Sequence, residues 1–483
     1  VKDAGINEFD PQILPKTLIG LPSKGAQSDL TYLAANIGAF MAIAVVALVL
    51  IPAYYRQRVT TVYGLLGQRY GAAAAWTGGA AFLLGRLLGS GARLFIAGGA
   101  VAFLLSPSIE SSMPLMVGAI VVMVLLALLL MAVGGMRSVI WTDVCQAGIF
   151  ILAAVVVIGV LLWRIPLETA EIFHHLHRPG EGEPSKLRVF DPGFTTLDPT
   201  ASYSLLAIIL GLSLINLGAY GTDQDMTQRL LTCRDAKSGA RSAVMAVLLA
   251  IPVTTLFMAV GMLLWIFYDR PDLMGSAGPD YDPSGNQFIF AVFIARELPM
   301  GLAGLLAAGL VAAAVSGLTS EINAMGATAM SDCYRPLVRG RSPEHYRLVL
   351  RLCVLAAGIG LAATAVICIQ WQRMEAGDLI DFALGVMTFC YSGLVAVFVC
   401  AVALPGRGTN GSAVAAILTG FVAVCLMRFV PLNYLGLVSG PEPVLMSAGL
   451  AFPYQMAVAT GLAMLVCMAR PARHRLQVPA DAA

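Results

Sequence analysis

Residues 304–334 read GLLAAGLVAAAVSGLTSEINAMGATAMSDCY, an apolar helix of membrane length that carries polar side chains in its middle. Its small residues let a neighbouring backbone come close. Ser316, Thr319 and Ser320 follow the helical spacing i, i+3 and i+4, which places three hydroxyl oxygens on one face. Such hard oxygens can replace the water around a small alkali cation. The alternative is that each hydroxyl bonds back to a carbonyl of its own helix and serves only in packing.

The composition of the whole chain agrees with a membrane location. The 483 residues are 58% hydrophobic and 12% charged, with a mean hydropathy of +0.81. These values are typical of a polytopic membrane protein. The net charge of +2 gives no indication of a nucleic-acid partner. The cysteines and histidines follow no metal-ligand or disulfide pattern, and we find no nucleophile–base pair, so we expect neither a metal centre nor an enzyme.

Eleven apolar segments are long enough to cross a bilayer of about 30 Å. Their approximate limits are 31–54, 72–105, 115–134, 139–163, 203–219, 239–268, 301–331, 347–371, 378–404, 410–430 and 448–469. The sequence therefore predicts an all-α polytopic membrane protein. Its transmembrane domain covers residues 31–470, after a polar segment 1–30 and before a short tail 471–483.

Lys and Arg are concentrated in one of the two sets of loops, which the positive-inside rule assigns to the cytoplasm. This set carries Arg56, Arg58, Arg69, Arg137, Arg229, Arg234, Lys237, Arg241, Arg335, Arg339, Arg341, Arg347, Arg407, Arg470, Arg473 and Arg475. Loop 164–202 on the other side is an exception with four basic residues, but long loops follow the rule less strictly. The N-terminus is thus predicted outside and the C-terminus in the cytoplasm of a cell membrane.

Ionisable residues also occur at or near membrane depth. Arg86 and Arg93 lie seven residues apart on one face of the second span. They either line a polar path or, for at least one of them, reach the membrane surface from an overhanging helix. Asp143 begins the fourth span and is a functional candidate, or else a carboxylate favoured by a helix N-terminus. Asp223 and Asp225 are predicted to lie in a solvated cytoplasmic turn.

The fifth span, LLAIILGLSLINLGAYGTDQD (205–225), contains several glycines around Asn216. Glycine weakens a helix, and unpaired backbone groups at membrane depth are tolerated only beside protein or a water-filled cavity. Broken helices near the midplane are where secondary transporters bind solute and ion. The alternative is a helix that frays at its cytoplasmic end.

Five segments, in this order, resemble the sodium:solute symporter family. They are TTVYGLLGQRYG (60–71), GGMRSVIWTDVCQ (134–146), DQDMTQRLL (223–231), the stretch 304–334 and GVMTFCYSGLVAVF (385–398). The resemblance covers residues 30–470. It implies a LeuT-type fold of two inverted five-helix repeats, with alternating access to a midplane site. It also implies that the first core helix is absent from these 483 residues, so that the first repeat is incomplete.

The resemblance further implies where sodium binds. The family's first sodium site takes the backbone carbonyl of Ala313 and the hydroxyl of Ser316. Gly317 stands where a second hydroxyl is usual, so this site is weakened. An accessory site in part of the family resembles a set that is complete here: Ser316, Thr319, Ser320 and Asp143.

The same resemblance suggests solute-binding positions. Asn216 and Tyr220 lie where the family's broken core helix faces the solute. Ala219 occupies the position of an aromatic gate in sugar-transporting members, so a sugar is a less secure assignment than the family. Phe389 and Tyr391 on the ninth span are further pocket candidates.

The sequence thus predicts a sodium-coupled symporter of a small polar organic solute, with Na⁺ as coupling ion, the bilayer as surroundings and no other cofactor. One cation crossing about 100 mV releases roughly 2.3 kcal/mol, which supports roughly a 40-fold solute gradient. Two alternatives remain at this point. Gly317 favours a sodium-independent or proton-coupled carrier on the same fold, and a non-transporting solute sensor is the other. The sequence does not identify the solute.

Overall fold

The computed structural model describes residues 19–471 except 58, 60, 107–112, 134–135, 181, 191–193, 197, 276–277, 280–286, 375–378 and 431–448. Side chains at 132–145 and 373–378 also lie outside the described part. Within that part the regular elements are helices, apart from one isolated bridge between Arg407 and Pro471.

A long segment connects α7 to α8, and most of the other described helices follow one another with short connections. In chain order they are α1 (Leu21–Gln27), α2 (Leu30–Gln57), α3 (Val62–Arg69), α4 (Ala72–Leu105), α5 (Met113–Val133), α6 (Met136–Arg164), α7 (Thr169–His177), α8 (Leu205–Thr222), α9 (Gln224–Leu231), α10 (Ala236–Asp269), α11 (Pro271–Met274), α12 (Ile289–Glu297), α13 (Met300–Leu337), α14 (Pro343–Met374), α15 (Leu379–Ala403), α16 (Asn410–Phe429) and α17 (Phe452–Met468).

Ten of the described helices are long and apolar enough to cross a membrane, which confirms the predicted polytopic helical fold. They are α2, α4, α5, α6, α8, α10, α13, α14, α15 and α16. The eleventh predicted span corresponds to α17, an apolar helix of 17 residues. Large leucines on the peripheral helices remain exposed, as a helix facing lipid requires: Leu129 is 60% and Leu152 62% exposed.

Helices α4 and α15 form the centre of the bundle. The most apolar 18-residue window of α4 is 83% buried and that of α15 is 78% buried. The two helices pack against each other, and α4 also packs against α13 and α14. Seven glycines in α4 allow these close approaches. The polar side chains that α4 carries are therefore enclosed by protein on several sides.

Helix α1 was not anticipated from the sequence, which assigned residues 1–30 to a polar segment. Its residues LPSKGAQ include a lysine and carry little hydropathy signal, yet six of the seven are buried. α1 lies directly on the backbone of α10. A Cβ added to Gly261 would lie 2.1 Å from the carbonyl oxygen of Pro22, and one added to Gly25 would lie 2.4 Å from that of Met258. Only glycines permit this contact.

Gly261→Ala is therefore expected to lower the free energy of unfolding by about 1–3 kcal/mol, because the new methyl overlaps the α1 backbone. The measurement is the thermal unfolding midpoint of the purified protein in detergent. Gly304→Ala on α13 is the control, since a Cβ there meets nothing within 4 Å. That variant should keep or slightly raise the midpoint. Equal losses in both variants would contradict the α1–α10 contact.

A single extended residue, Asp223, separates α8 from α9 (φ −84°, ψ 127°). Tyrosines from neighbouring elements bond the carbonyls that this break releases. Tyr54 donates to the carbonyl of Gly221 at 2.6 Å, and Tyr63 donates to that of Thr222 at 3.0 Å. All of these groups are buried. The glycine-rich span therefore ends in a buried, hydrogen-bonded break and not in a frayed helix end.

Candidate transport site

A cavity of about 120 Å³ lies between α1, α2, α4, α8, α9, α10 and α15. Two predicted solute residues, Asn216 and Tyr220, line it one helical turn apart on α8. Its full polar lining is Tyr32, Asn36, Arg93, Asn216, Tyr220 and Thr254. The remaining lining is mostly aliphatic, and a few polar groups in an apolar cavity are typical of a small-molecule site. The lining residues outside α8 were missed as solute contacts, because no sequence motif brings these helices together.

The other two predicted solute residues do not line this cavity. Phe389 belongs to an aromatic cluster on the far side of α15, with ring centroids 5.9 Å from Trp371 and 5.8 Å from Phe429. Tyr391 packs against Gly218, and its hydroxyl donates to the carboxylate of Asp223 at 2.8 Å. Phe389 thus stabilises the packing of α15, while Tyr391 supports the break between α8 and α9.

One side of the cavity is bordered by a cluster that joins α1, α2, α15 and the start of α8. Tyr32 contacts Tyr203 edge to face, with ring centroids 5.5 Å apart. The hydroxyl of Tyr203 donates to Asp381. Lys24 pairs with the same carboxylate at 3.3 Å and lies over the Tyr203 ring. The cluster ties the short helix α1 to α15 beside the cavity.

The long segment between α7 and α8 holds the end of α1. The ammonium of Lys186 donates to the carbonyls of Ala26 (2.7 Å) and Ser28 (3.1 Å), and Arg188 pairs with Asp29 at 2.7 Å. Burial lowers the pKa of Lys186 to about 8. Because Lys186 and Arg188 lie in a polar loop, the sequence alone gave no sign of this contact.

Next to the cavity, six ionisable side chains form what we call the buried charge cluster: Arg86, Arg93, Asp223, Asp225, Arg229 and Glu321. Arg86 contacts all three carboxylates, at 2.5 Å from Asp223, 3.5 Å from Asp225 and 3.3 Å from Glu321. Arg93, which lines the cavity, donates to the same oxygen of Glu321 at 2.9 Å. The cluster thus reaches from the cavity to the α8–α9 break.

The cluster contains three guanidinium groups and three carboxylates, so its formal charge is zero. An unpaired charge at this depth would cost several kcal/mol, and pairing removes most of that cost. One of the two alternatives for the arginines is therefore wrong, and so is the prediction for the two aspartates. Neither Arg86 nor Arg93 reaches the membrane surface, since they are 2% and 7% exposed. Asp223 and Asp225 form no solvated turn, since they are 1% and 0% exposed.

The hydroxyl face of α13 is buried, with Ser316, Thr319 and Ser320 each at most 6% exposed. Thr319 donates to the carbonyl of Val315 at 2.7 Å, which is the packing bond considered from the sequence. That bond uses the hydroxyl proton and leaves the oxygen's lone pairs. Ala313, one turn before, is also buried.

Ser320 has a different role from the other two hydroxyls. Its hydroxyl donates to Asp225 at 2.8 Å and its oxygen accepts from Arg229 at 2.6 Å, so Ser320 contacts the buried charge cluster as well as belonging to α13. The side chain of Asp143 lies outside the described residues. The backbone of its helix, α6, packs against α13.

A helical membrane bundle with a central cavity that holds a few polar groups beside a broken helix is the architecture of a secondary transporter. The family model of the sodium:solute symporter family matches residues 5–420, and the chain belongs to this family. The sodium/sialic acid symporter SiaT of Proteus mirabilis (strain HI4320) is 26% identical over 439 residues, which cover 88% of this chain and 81% of that protein. The human sodium/iodide cotransporter is 24% identical over 402 residues, which cover 82% of this chain and 58% of that protein.

Solved structures agree on the fold. A structure described as the substrate-bound outward-open state of a Na⁺-coupled sialic acid symporter superposes with a TM-score of 0.76 at 22% identity, covering 96% of this chain and 88% of that one. A nucleobase-cation-symport-1 family transporter superposes with a TM-score of 0.54 at 12% identity. The LeuT-type fold is therefore confirmed. The family confirms sodium-coupled symport of a small solute and does not favour the carrier and sensor alternatives.

Proposed function

We propose that this symporter moves a small organic anion together with Na⁺, and that Arg93 binds the anion's carboxylate. The observation that carries the proposal is the position of Arg93, the one charged side chain among the described residues that line the cavity. A guanidinium binds carboxylates with two parallel hydrogen bonds. Asn216 and Tyr220 then contact the polar remainder of the solute. Two relatives named as sialic acid symporters support an acidic solute.

Glu321 allows Arg93 to change partners. One carboxylate oxygen of Glu321 pairs with both Arg86 (3.3 Å) and Arg93 (2.9 Å). A solute carboxylate can therefore engage Arg93 while Glu321 keeps Arg86.

Sodium binds, in this proposal, on the hydroxyl face of α13. The ligands are the carbonyl of Ala313, the hydroxyls of Ser316, Thr319 and Ser320, and the carboxylate of Asp143. A cation that reaches Ser320 competes with the hydrogen bond from Arg229 (2.6 Å). Contacts then continue without a gap to the cavity through Asp225, Arg86, Glu321 and Arg93. This chain of contacts gives the two ligands a physical route by which each can change the affinity for the other.

The proposed orientation follows the distribution of Lys and Arg. The Arg-rich loops, which include the inner end of α13 at Arg335, face the cytoplasm, as does the tail 471–483. The loop 164–202 lies on the outer side, together with the cluster of Lys24, Tyr203 and Asp381.

The test is binding of labelled solutes to the purified protein in Na⁺ or in equimolar choline. The panel contains sialic acid, smaller carboxylates, myo-inositol and glucose. We expect one of the acids to bind, with higher affinity in Na⁺. Arg93→Met should weaken that binding at least about tenfold, the scale of a lost charge-assisted hydrogen bond.

Arg93→Lys is the matched control, since it keeps the charge and should retain part of the affinity. Binding of only the neutral members of the panel would contradict the anionic solute but not the symport. Acid binding that is equally strong in choline would contradict sodium coupling.

A further inference from the structure

The face of α4 that holds the buried charge cluster continues toward the Arg-rich loops. Gly79 lies seven residues before Arg86, so the two share this face. A Cβ added to Gly79 would lie 3.3 Å from Cβ of Asp332 and 3.5 Å from Cγ2 of Thr328. Both residues lie on the side of α13 that carries Glu321, at helical spacings of seven and eleven. Asp332 is therefore about 16 Å from Glu321 along α13.

Asp332 differs from the carboxylates of the buried charge cluster because it has no basic partner within the described chain. Thr61 donates to its Oδ1 at 3.1 Å. Its Oδ2 is buried and accepts no hydrogen bond from the described residues. Thr328 is fully buried, at 0% exposure, and its hydroxyl oxygen likewise has no partner there. Buried polar atoms are almost always paired, so two unpaired oxygens on side chains four positions apart, both on the part of α13 that packs against Gly79, point to a missing ligand.

The helix is also locally widened at this position. Asp332 lies in a turn of π-helix, Ala329–Tyr334, which widens the end of α13. Such turns are often found at functional sites. A carboxylate and a hydroxyl are hard oxygen ligands, and the negative charge of the carboxylate selects a cation.

We propose that Asp332 and Thr328 form a second cation site, which binds Na⁺ on its way between the hydroxyl face of α13 and the cytoplasm. The inference rests on the proposed sodium site and orientation. One carboxylate with few other ligands binds an alkali ion weakly, and a site on an exit path must release its ion readily. The competing interpretation is structural: Asp332 only anchors α3, because Thr61 caps the N-terminus of that helix.

The test is ²²Na⁺ exchange in right-side-out membrane vesicles that contain the full chain. The internal Na⁺ concentration is varied against choline at fixed external ²²Na⁺, and then the external concentration is varied. Asp332→Asn keeps the shape and the hydrogen bond from Thr61 but removes the charge. We expect it to raise the internal Na⁺ concentration for half-maximal exchange about tenfold, the scale of a lost charged ligand. In the same variant, the external Na⁺ concentration for half-maximal exchange should change less than about twofold. Thr328→Val should raise the internal value by a smaller factor.

Thr61→Val is the matched control, because it removes the bond to α3 and leaves the carboxylate intact. It should leave both half-maximal concentrations near those of the unmodified protein. The exit site is overturned if Asp332→Asn leaves the internal value unchanged, or if Thr61→Val raises it as much. If the unmodified protein shows no ²²Na⁺ exchange above empty vesicles, the proposed sodium transport itself fails, and the exit site fails with it.

Discussion

Glu321→Gln is expected to abolish sodium-coupled uptake and to lower the free energy of unfolding by about 3–5 kcal/mol, the usual cost of removing one partner from a buried ion pair. Glu321 is 4% exposed, and one of its oxygens accepts from both Arg86 and Arg93. Glutamine fills the same space but leaves the buried charge cluster with one uncompensated positive charge. The measurements are the thermal unfolding midpoint in detergent and solute uptake by proteoliposomes.

The double variant Glu321→Gln, Arg93→Met separates charge balance from solute binding. It restores a neutral cluster, so the unfolding midpoint should recover part of the way toward that of the unmodified protein. Uptake of an anion should stay lost, because Arg93 is gone. A single variant Glu321→Gln with an unchanged midpoint would show that Glu321 does not hold the two arginines together.

The helices of the bundle could be predicted because each span is long, apolar and continuous in sequence, as α13 illustrates. Helix α1 could not, since its stability comes from the backbone contact between Gly25, Gly261 and their neighbours and not from hydropathy. Such a contact joins segments more than 200 positions apart. A polar heptapeptide gives no local pattern by which it could be recognised.

The residues that line the cavity could be predicted only in part, because the contacts that bring them together join segments far apart in sequence. Asn216 and Tyr220 were assigned to the solute from the family resemblance, and both line the cavity. Arg86 and Asp223 were each noticed as a charge at membrane depth, but they lie 137 positions apart, so their pairing was invisible. Without its partner, Asp223 was assigned to a solvated turn, and for Arg86 a polar path and the membrane surface both stayed open. Phe389 lies on the side of α15 away from the cavity, and which face of a buried helix meets the solute depends on packing alone.

The double variant Ser316→Ala, Thr319→Val is expected to raise the Na⁺ concentration for half-maximal uptake about 100-fold. Each lost hydroxyl ligand is worth about 1.4 kcal/mol, which corresponds to tenfold. The two substitutions keep the helix and nearly the same volume. Ser320 is left unchanged, because its bonds to Asp225 and Arg229 mean that replacing it would also disturb the buried charge cluster. Uptake is measured in proteoliposomes over a range of external Na⁺, with choline as replacement.

Thr319→Ser is the control that separates a ligand from a packing residue, since it keeps the oxygen and removes only a methyl group. If Thr319 binds sodium, serine should leave the half-maximal Na⁺ concentration within about threefold of the unmodified protein. Binding of the solute at saturating Na⁺ should be unchanged in both variants. If the double variant keeps its sodium dependence, the bond from Thr319 to Val315 is the whole role of that hydroxyl, and the coupling ion binds elsewhere. The buried charge cluster would then couple the solute to a different cation site, and Asp332 would be the first place to search.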